Sequence, residues 1–172
     1  MPVAGAPLPV AHASPVAFRA AASRFVTGVT VVTVPDGGGC LSGMTGNSFV
    51  TVSLSPPTVL VSVMPGRMHR AIAAGGRYGV NVLPQGAQGL STHFAGRPVA
   101  RLAPDYDLVA GLPRLAGCTA FFACELIRQV DVGDHSLFIA EVSHCEHSDA
   151  PPLVFYSSRY HDPPGSARSA EG

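Results

Sequence analysis

Residues 43–63 read GMTGNSFVTVSLSPPTVLVSV, three segments of different character. GMTGNS is small and polar, with hydroxyl or amide groups on Thr45, Asn47 and Ser48 beside Gly43 and Gly46. SFVTVSLS alternates apolar and polar residues, the period of a half-covered strand, until Pro56 and Pro57 break it. TVLVSV, at 58–63, is a β-branched run of the kind buried inside a sheet. A loop able to present backbone N–H groups and short donors is thereby held between two apolar strands. Rigid strands below and a donor-bearing loop above are a common construction for a small-molecule site.

Working outward, 29–34 is expected as a strand, PDGGG at 35–39 as a hairpin turn that tolerates positive φ, and 40–45 as the returning strand. Upstream, Ser14 before Pro15 has the form of a helix cap followed by proline at the first helical position. Phe18, Ala21, Ala22 and Phe25 share one face, which predicts an amphipathic helix over 15–25, ended by Thr27 and Gly28. Downstream, the pattern predicts a short helix at 68–74, a strand at 78–83 and a second short helix from Pro84 to about Phe94. Residues 97–112 have two prolines and no period, and read as a long surface loop able to cover a site. Two long strands follow at 119–130 and 136–147, joined by a turn at 131–135, and a last strand at 153–156. Many strands, several joined by short turns, without regular βαβ alternation, favour a mainly β (α+β) fold. The expectation is an antiparallel barrel with short connecting helices.

Composition narrows the function. The chain has 172 residues, enough for one domain that buries about 70% of its unfolded surface. Charged residues make up only 13%, against roughly 25% in typical soluble chains, which points to a surface partly covered by a second copy. Eleven basic and eleven acidic residues cancel, so nothing marks a nucleic-acid or anionic-membrane partner. Cys40, Cys118, Cys124 and Cys145 form no CxxC pair, consistent with a reducing, cytoplasmic setting. The proline-interrupted N-terminus is a poor signal peptide, and no apolar run is long enough for a membrane span. Residues 1–13 are expected as a disordered lead, 14–161 as the domain and 162–172 as a flexible tail.

Neither G-x-G-x-x-G nor G-x-x-x-x-G-K-[ST] occurs, so a Rossmann nucleotide site and a P-loop are both unsupported. His144, Cys145, Glu146 and His147 are the dense metal-type cluster, but strand alternation puts His144 and His147 on opposite faces, and no metal site is expected. No nucleophile elbow is readable. Thr45–Ser48 is compatible with a plain polar turn. Arg67, His69 and Arg70 are compatible with a solvated helix face.

Six segments, in order, resemble the short-chain flavin reductases, the reductase components of two-component flavin-dependent monooxygenases. They are RFVTGVTVVTV at 24–34, the 43–63 stretch, RYGVNVL at 77–83, THFAG at 92–96, VGDHSLFIAEV at 132–142 and PLVFYSSRY at 152–160. The resemblance implies a split β-barrel, normally a homodimer, that uses NADH or NADPH to reduce FAD or FMN. Reduced flavin would then pass to a partner monooxygenase. Carried over residue by residue, it assigns Met44, Thr45, Gly46, Asn47 and Ser48 to the flavin, with Gly46 where many relatives have alanine. Fixed donors along the ring edge would favour the reduced, anionic flavin. It assigns Ser62, Val63, Arg67 and His69 to the ribityl phosphate, although His69 stands where relatives have a small hydroxyl residue. Asn81 is placed near the flavin, and Phe94 and Gly96 at its edge. His135, in Gly133-Asp134-His135, is placed beside the nicotinamide as the catalytic residue, with Asp134 orienting it. Tyr156, Arg159 and Tyr160 fall on the nicotinamide side, with Ser157 and Ser158 where relatives carry Arg-Gly. A non-catalytic flavin-binding protein or electron carrier, and a pyridoxamine-phosphate-oxidase-like enzyme, share this fold and stand as alternatives.

Overall fold

The computed structural model describes residues 11–37 and 41–163. Most of the expected lead and tail, and Cys40 at the start of the expected returning strand, lie outside the described residues. Helix α1 (Pro15–Ala22) begins as its sequence requires: the Ser14 hydroxyl accepts from the Ala17 N–H at 3.2 Å and Pro15 occupies the first turn. It ends three residues before Phe25, and none of its residues is buried. Thr27 and Gly28 do not merely end a helix; they form β1 (Thr27–Gly28), which joins a sheet.

The strands β2 (Thr30–Pro35), β3 (Leu41–Gly46), β4 (Val50–Leu54), β5 (Pro57–Val63) and β6 (Arg77–Val82) follow, with α2 (Arg67–Gly75) between the last two. Helix α3 (Gln88–Phe94) starts later than expected, because Pro84 is held in a bridge to Pro152. Two 13-residue strands, β9 (Ala120–Val132) and β10 (His135–His147), form the longest hairpin. Its turn is tighter than expected: Val132 pairs with His135, and Gly133 takes φ +60 between them. The main sheet has seven antiparallel strands in the order β3-β2-β6-β9-β10-β5-β4.

Val32 and Val34 of β2, Val61 and Val63 of β5 and Phe138 of β10 meet in one buried cluster with Met68 and Ile72 of α2. Strands far apart in the sheet order thus share one core, so the sheet rolls around it as a barrel. A second cluster joins Val29, Val31, Leu83, Leu115 and Leu153, with Phe94, Phe155 and Tyr160 packed against it.

The surface loop expected at 97–112 is corrected by a hairpin, β7 (Tyr106–Val109) with β8 (Leu112–Leu115). Ala110 and Gly111, at φ +51 and +76, turn the chain in two residues, and the Arg77 guanidinium donates to the Ala110 carbonyl at 2.8 Å. The same device makes a strand pair at the C-terminal end. Ser157 and Ser158 take φ +49 and +60, and β11 (Val154–Tyr156) folds back on β12 (Arg159–His161). With β1 these form a three-stranded sheet, β1-β11-β12. Among the described residues no helix is long and apolar enough to cross a membrane.

Candidate functional site

The end of β3 builds the site. Thr45 turns its hydroxyl to α3, donating to the Ser91 carbonyl at 2.7 Å. The Ser91 hydroxyl in turn meets the Tyr160 hydroxyl at 2.8 Å. These bonds fix three walls of a cleft of about 410 Å³, lined also by Gly46, Asn47, Arg97 and Phe155. Apolar rings on one side, donors on the other and a bare Gly46 between them suit a flat, partly polar ligand. Asn47 and Ser48 lie past the end of the β2–β3 ladder and before β4, so their N–H groups are not spent on the sheet. The Asn47 amide makes a long contact, 3.4 Å, to the Thr27 hydroxyl.

Ser48 has a different task. Its hydroxyl donates to the Ser62 carbonyl and accepts from the Ser62 N–H, both at 3.0 Å, clamping the loop onto β5. Met44 packs its side chain against the core and Val63 is buried within it, so both bear on the site through backbone position.

Further along β3 a pocket of about 260 Å³ opens between Ser42, Gly43, Arg67, His93, Phe94 and Gly96. The Arg67 guanidinium donates to the Ser42 hydroxyl across it. The Phe94 ring lies over Gly43 so closely that a Cβ there would come 2.5 Å from it, so only glycine fits. Ser42 and Thr45 are three residues apart on one strand, about 10 Å. Gly43 and Thr45 lie on the same face of β3 beside α3, so that face borders both pockets, while Ser42 turns to the other face toward Arg67. That pair of surfaces fits a planar ring carrying an anionic tail, as the flavin nucleotides do.

Other expected residues lie elsewhere. Asn81 is fully buried: its amide donates to the Val31 carbonyl and the Thr33 hydroxyl, both at 3.1 Å, and its carbonyl accepts from the Leu115 N–H at 2.7 Å. Both amide hydrogens and the carbonyl are engaged inside the barrel, and Asn81 does not line the cleft. His69 points away from Arg67, two residues being about 200° around a helix, and its Nε2 meets the Ser136 hydroxyl at 2.8 Å. In the C-terminal pair Phe155 and Tyr160 sit opposite one another on the cleft face, whereas Tyr156 and Arg159 form the next pair and face away. The Tyr156 phenol lies instead beside Arg24, whose hydrogen bond and charge draw its pKa below the ordinary value.

His135 opens β10, half-exposed, with Nδ1 2.7 Å from the Asp134 carboxylate. That bond holds the Asp134 carboxyl below the usual range. Register ties this turn to the loop clamp, since Ser62 pairs with Leu137, two residues from His135. Among the described residues no group of side chains could hold a metal ion. Arg97 and Ser91 were not singled out from the sequence. Arg97 sits in a stretch with no period, and Ser91 is an ordinary helix residue whose importance rests on two long-range bonds.

The antiparallel strands roll into a barrel with two pockets beside β3. The chain belongs to the flavin reductase like domain family, which it matches over residues 22–164. It is 44% identical over 151 residues to the NADH-dependent flavin reductase of Pseudomonas fluorescens, covering 86% of this chain and 89% of that protein. The structure of the styrene monooxygenase flavin reductase from Pseudomonas putida S12 superposes with a TM-score of 0.81 at 44% identity, over 86% of this chain and 97% of the other. The NADH:FAD oxidoreductase of Streptomyces globisporus C-1027, solved with NAD and FAD fragments, gives 0.80 at 35% identity, over 89% and 94%.

Proposed function

We infer that this chain is an NAD(P)H-dependent flavin reductase that supplies reduced FAD or FMN to a partner monooxygenase. The observation that carries it is the pair of pockets beside β3, one lined by Thr45, Gly46, Asn47 and Tyr160 and the other by Arg67. When bound, flavin accepts at N5 the hydride carried by the nicotinamide C4. The chain's share is placement: about 3–3.5 Å between reacting atoms is enough, and no side chain need move a proton for that step.

The N–H groups at Asn47 and Ser48, beyond the β2–β3 ladder, hold the polar ring edge, and Thr45 positions that loop through its bond to the Ser91 carbonyl. The positive ends of those N–H groups favour the charge that reduction brings there. Arg67 takes the phosphate. His135, aligned by Asp134, donates to the nicotinamide carboxamide or steadies charge beside it. Support for the partner comes from the relatives' names, which include reductase components of monooxygenases. We place the protein in the cytoplasm, supported by free thiols at Cys118, Cys124 and Cys145, and read it as a homodimer from its uncovered apolar strand β4.

The test is oxidation of NADH and NADPH by the pure protein with FAD, FMN, riboflavin or no flavin added. Consumption that needs added flavin is expected. Equal consumption without it, or none with any flavin, overturns the assignment. A tightly held flavin that neither nicotinamide reduces would instead identify an electron carrier.

A further inference from the structure

Outside these pockets, four polar side chains from three elements meet at one end of the barrel. Ser136 is buried at 3% exposure on β10, and its hydroxyl donates to the Asp131 carboxylate at 2.6 Å across the β9–β10 pair. Gln129 donates to the same carboxylate oxygen at 3.0 Å. His69, from α2, brings Nε2 to 2.8 Å from the Ser136 oxygen and sets its ring edge against Phe138, 5.1 Å between centroids.

Proton counting fixes the direction of this chain. A carboxylate only accepts, so the single Ser136 proton goes to Asp131. The Ser136 oxygen must then accept from His69, which places a proton on Nε2. The hydrogen bonds from Ser136 and Gln129 also hold the Asp131 carboxyl below the usual range. It therefore stays an acceptor throughout neutral pH.

We propose that His69, Ser136 and Asp131 form a brace from helix α2 that positions the Gly133–His135 turn, making them positioning residues for the nicotinamide half of the site. The proposal rests on the assignment of His135 to the nicotinamide. The turn itself is poorly held. Val132, Gly133 and Asp134 are exposed, and the Asp134 side chain turns back onto its neighbour His135. Ser136 is the next residue in the chain and Asp131 is its cross-strand partner, so the brace grips both legs of the hairpin directly below the turn. His69 does not serve the phosphate in this arrangement. It anchors the hairpin to the helix whose first residue, Arg67, lines the pocket beside Ser42.

The test compares Ser136→Ala, Asp131→Ala, His135→Ala and the Ser136→Ala/His135→Ala double variant in the full chain. Nicotinamide KM, kcat, FMN dissociation constant and melting temperature are read for each, with Ser136→Thr as the conservative variant. Loss of one such bond should raise the nicotinamide KM about three- to tenfold in Ser136→Ala, and less in Asp131→Ala. FMN affinity should stay within about twofold, and Ser136→Thr should restore KM. In the His135→Ala background the Ser136→Ala effect should vanish, because both act through one imidazole. Independent, multiplying effects overturn the brace and leave the nicotinamide assignment standing, as do FMN losses as large as the KM change. Exposed Asp131→Ala gives the same answer if Ser136→Ala fails to fold. His135→Ala with an unchanged KM overturns the nicotinamide assignment, and the brace with it.

Discussion

At the scale of single residues, Asn81 and Gly79 show what the barrel demands of its interior. Asn81 spends its whole amide on Val31, Thr33 and Leu115. Asn81→Ala orphans a buried carbonyl and a buried N–H, each worth about 1–3 kcal/mol, and urea unfolding should record the loss. Flavin affinity in the surviving folded fraction should be unchanged, since the amide does not line the cleft. A selective loss of flavin without loss of stability would return Asn81 to the site. At Gly79 a Cβ would come 2.6 Å from the Thr33 hydroxyl, 2.8 Å from the Phe121 ring and 3.2 Å from the Pro113 carbonyl. The Thr33 hydroxyl already donates to that carbonyl at 2.6 Å, so the neighbours have no room to retreat. Gly79→Ala should cost about 1–3 kcal/mol by overpacking. The thiols offer a gentler probe. Burial pushes Cys124 up to about 12, leaving roughly 10⁻⁴ of it as thiolate near pH 8, while Cys145 is exposed. Brief alkylation with peptide mapping should label Cys145 and spare Cys124; rapid labelling of Cys124 would mean that the barrel opens readily.

Among the elements, the hairpin β7–β8 carries its own pH prediction. Arg114 on β8 reaches Asp107 on β7 and Glu146 on β10, tying the hairpin to the long strand. The Arg114 hydrogen bond draws the Asp107 carboxyl below its ordinary value. Because that pKa is depressed on folding, the tie is complete above the unfolded value and is lost as pH falls through the folded one. Protection of the amides in 106–115, taken relative to their intrinsic exchange rates, should therefore fall selectively as pH drops below the ordinary carboxylate range, and in Arg114→Ala it should be low already at neutral pH. Uniform exchange across the barrel would deny the hairpin any separate tie. This hairpin was not legible in the sequence: its turn is Ala110-Gly111 rather than Asn-Gly, and Pro113 argues against a strand. The strands β2, β5 and β6 were legible because β-branched runs report burial directly. The helix cap at Ser14-Pro15 was legible because it is local chemistry. The cleft was half legible. Thr45–Asn47 announced itself as a donor-bearing loop, but the split of FYSSRY into Phe155 and Tyr160 facing the cleft and Tyr156 and Arg159 facing away needs the β11–β12 register. That register is set by two serines at positive φ, which no propensity marks.

For the whole molecule, the low charge fraction finds its counterpart in β4. Val50, Val52 and Leu54 are 50%, 53% and 93% exposed along the end strand of the seven-stranded order. The strand VTVSL holds no charge and no proline to discourage edge pairing. Phe25 and Val26 extend the apolar surface, and a cleft of about 300 Å³ runs from them to Val50 and to Asn47, which also lines the cleft at the end of β3. In the proposed homodimer a second copy would cover this face, and under twofold symmetry each side chain would count twice. Burying one leucine is worth about 1.5–3 kcal/mol, so Leu54→Lys removes about 3–6 kcal/mol from a symmetric interface if the lysine finds no partner. That corresponds to a dimer roughly 10² to 10⁴ times weaker. The parent chain should sediment as a dimer at micromolar concentration and Leu54→Lys as a monomer with its barrel intact by circular dichroism. A parent chain that sediments as a monomer while binding flavin normally would mean that β4 meets the partner monooxygenase instead, and cross-linking through a cysteine placed at Val52 would then trap that protein rather than a second copy.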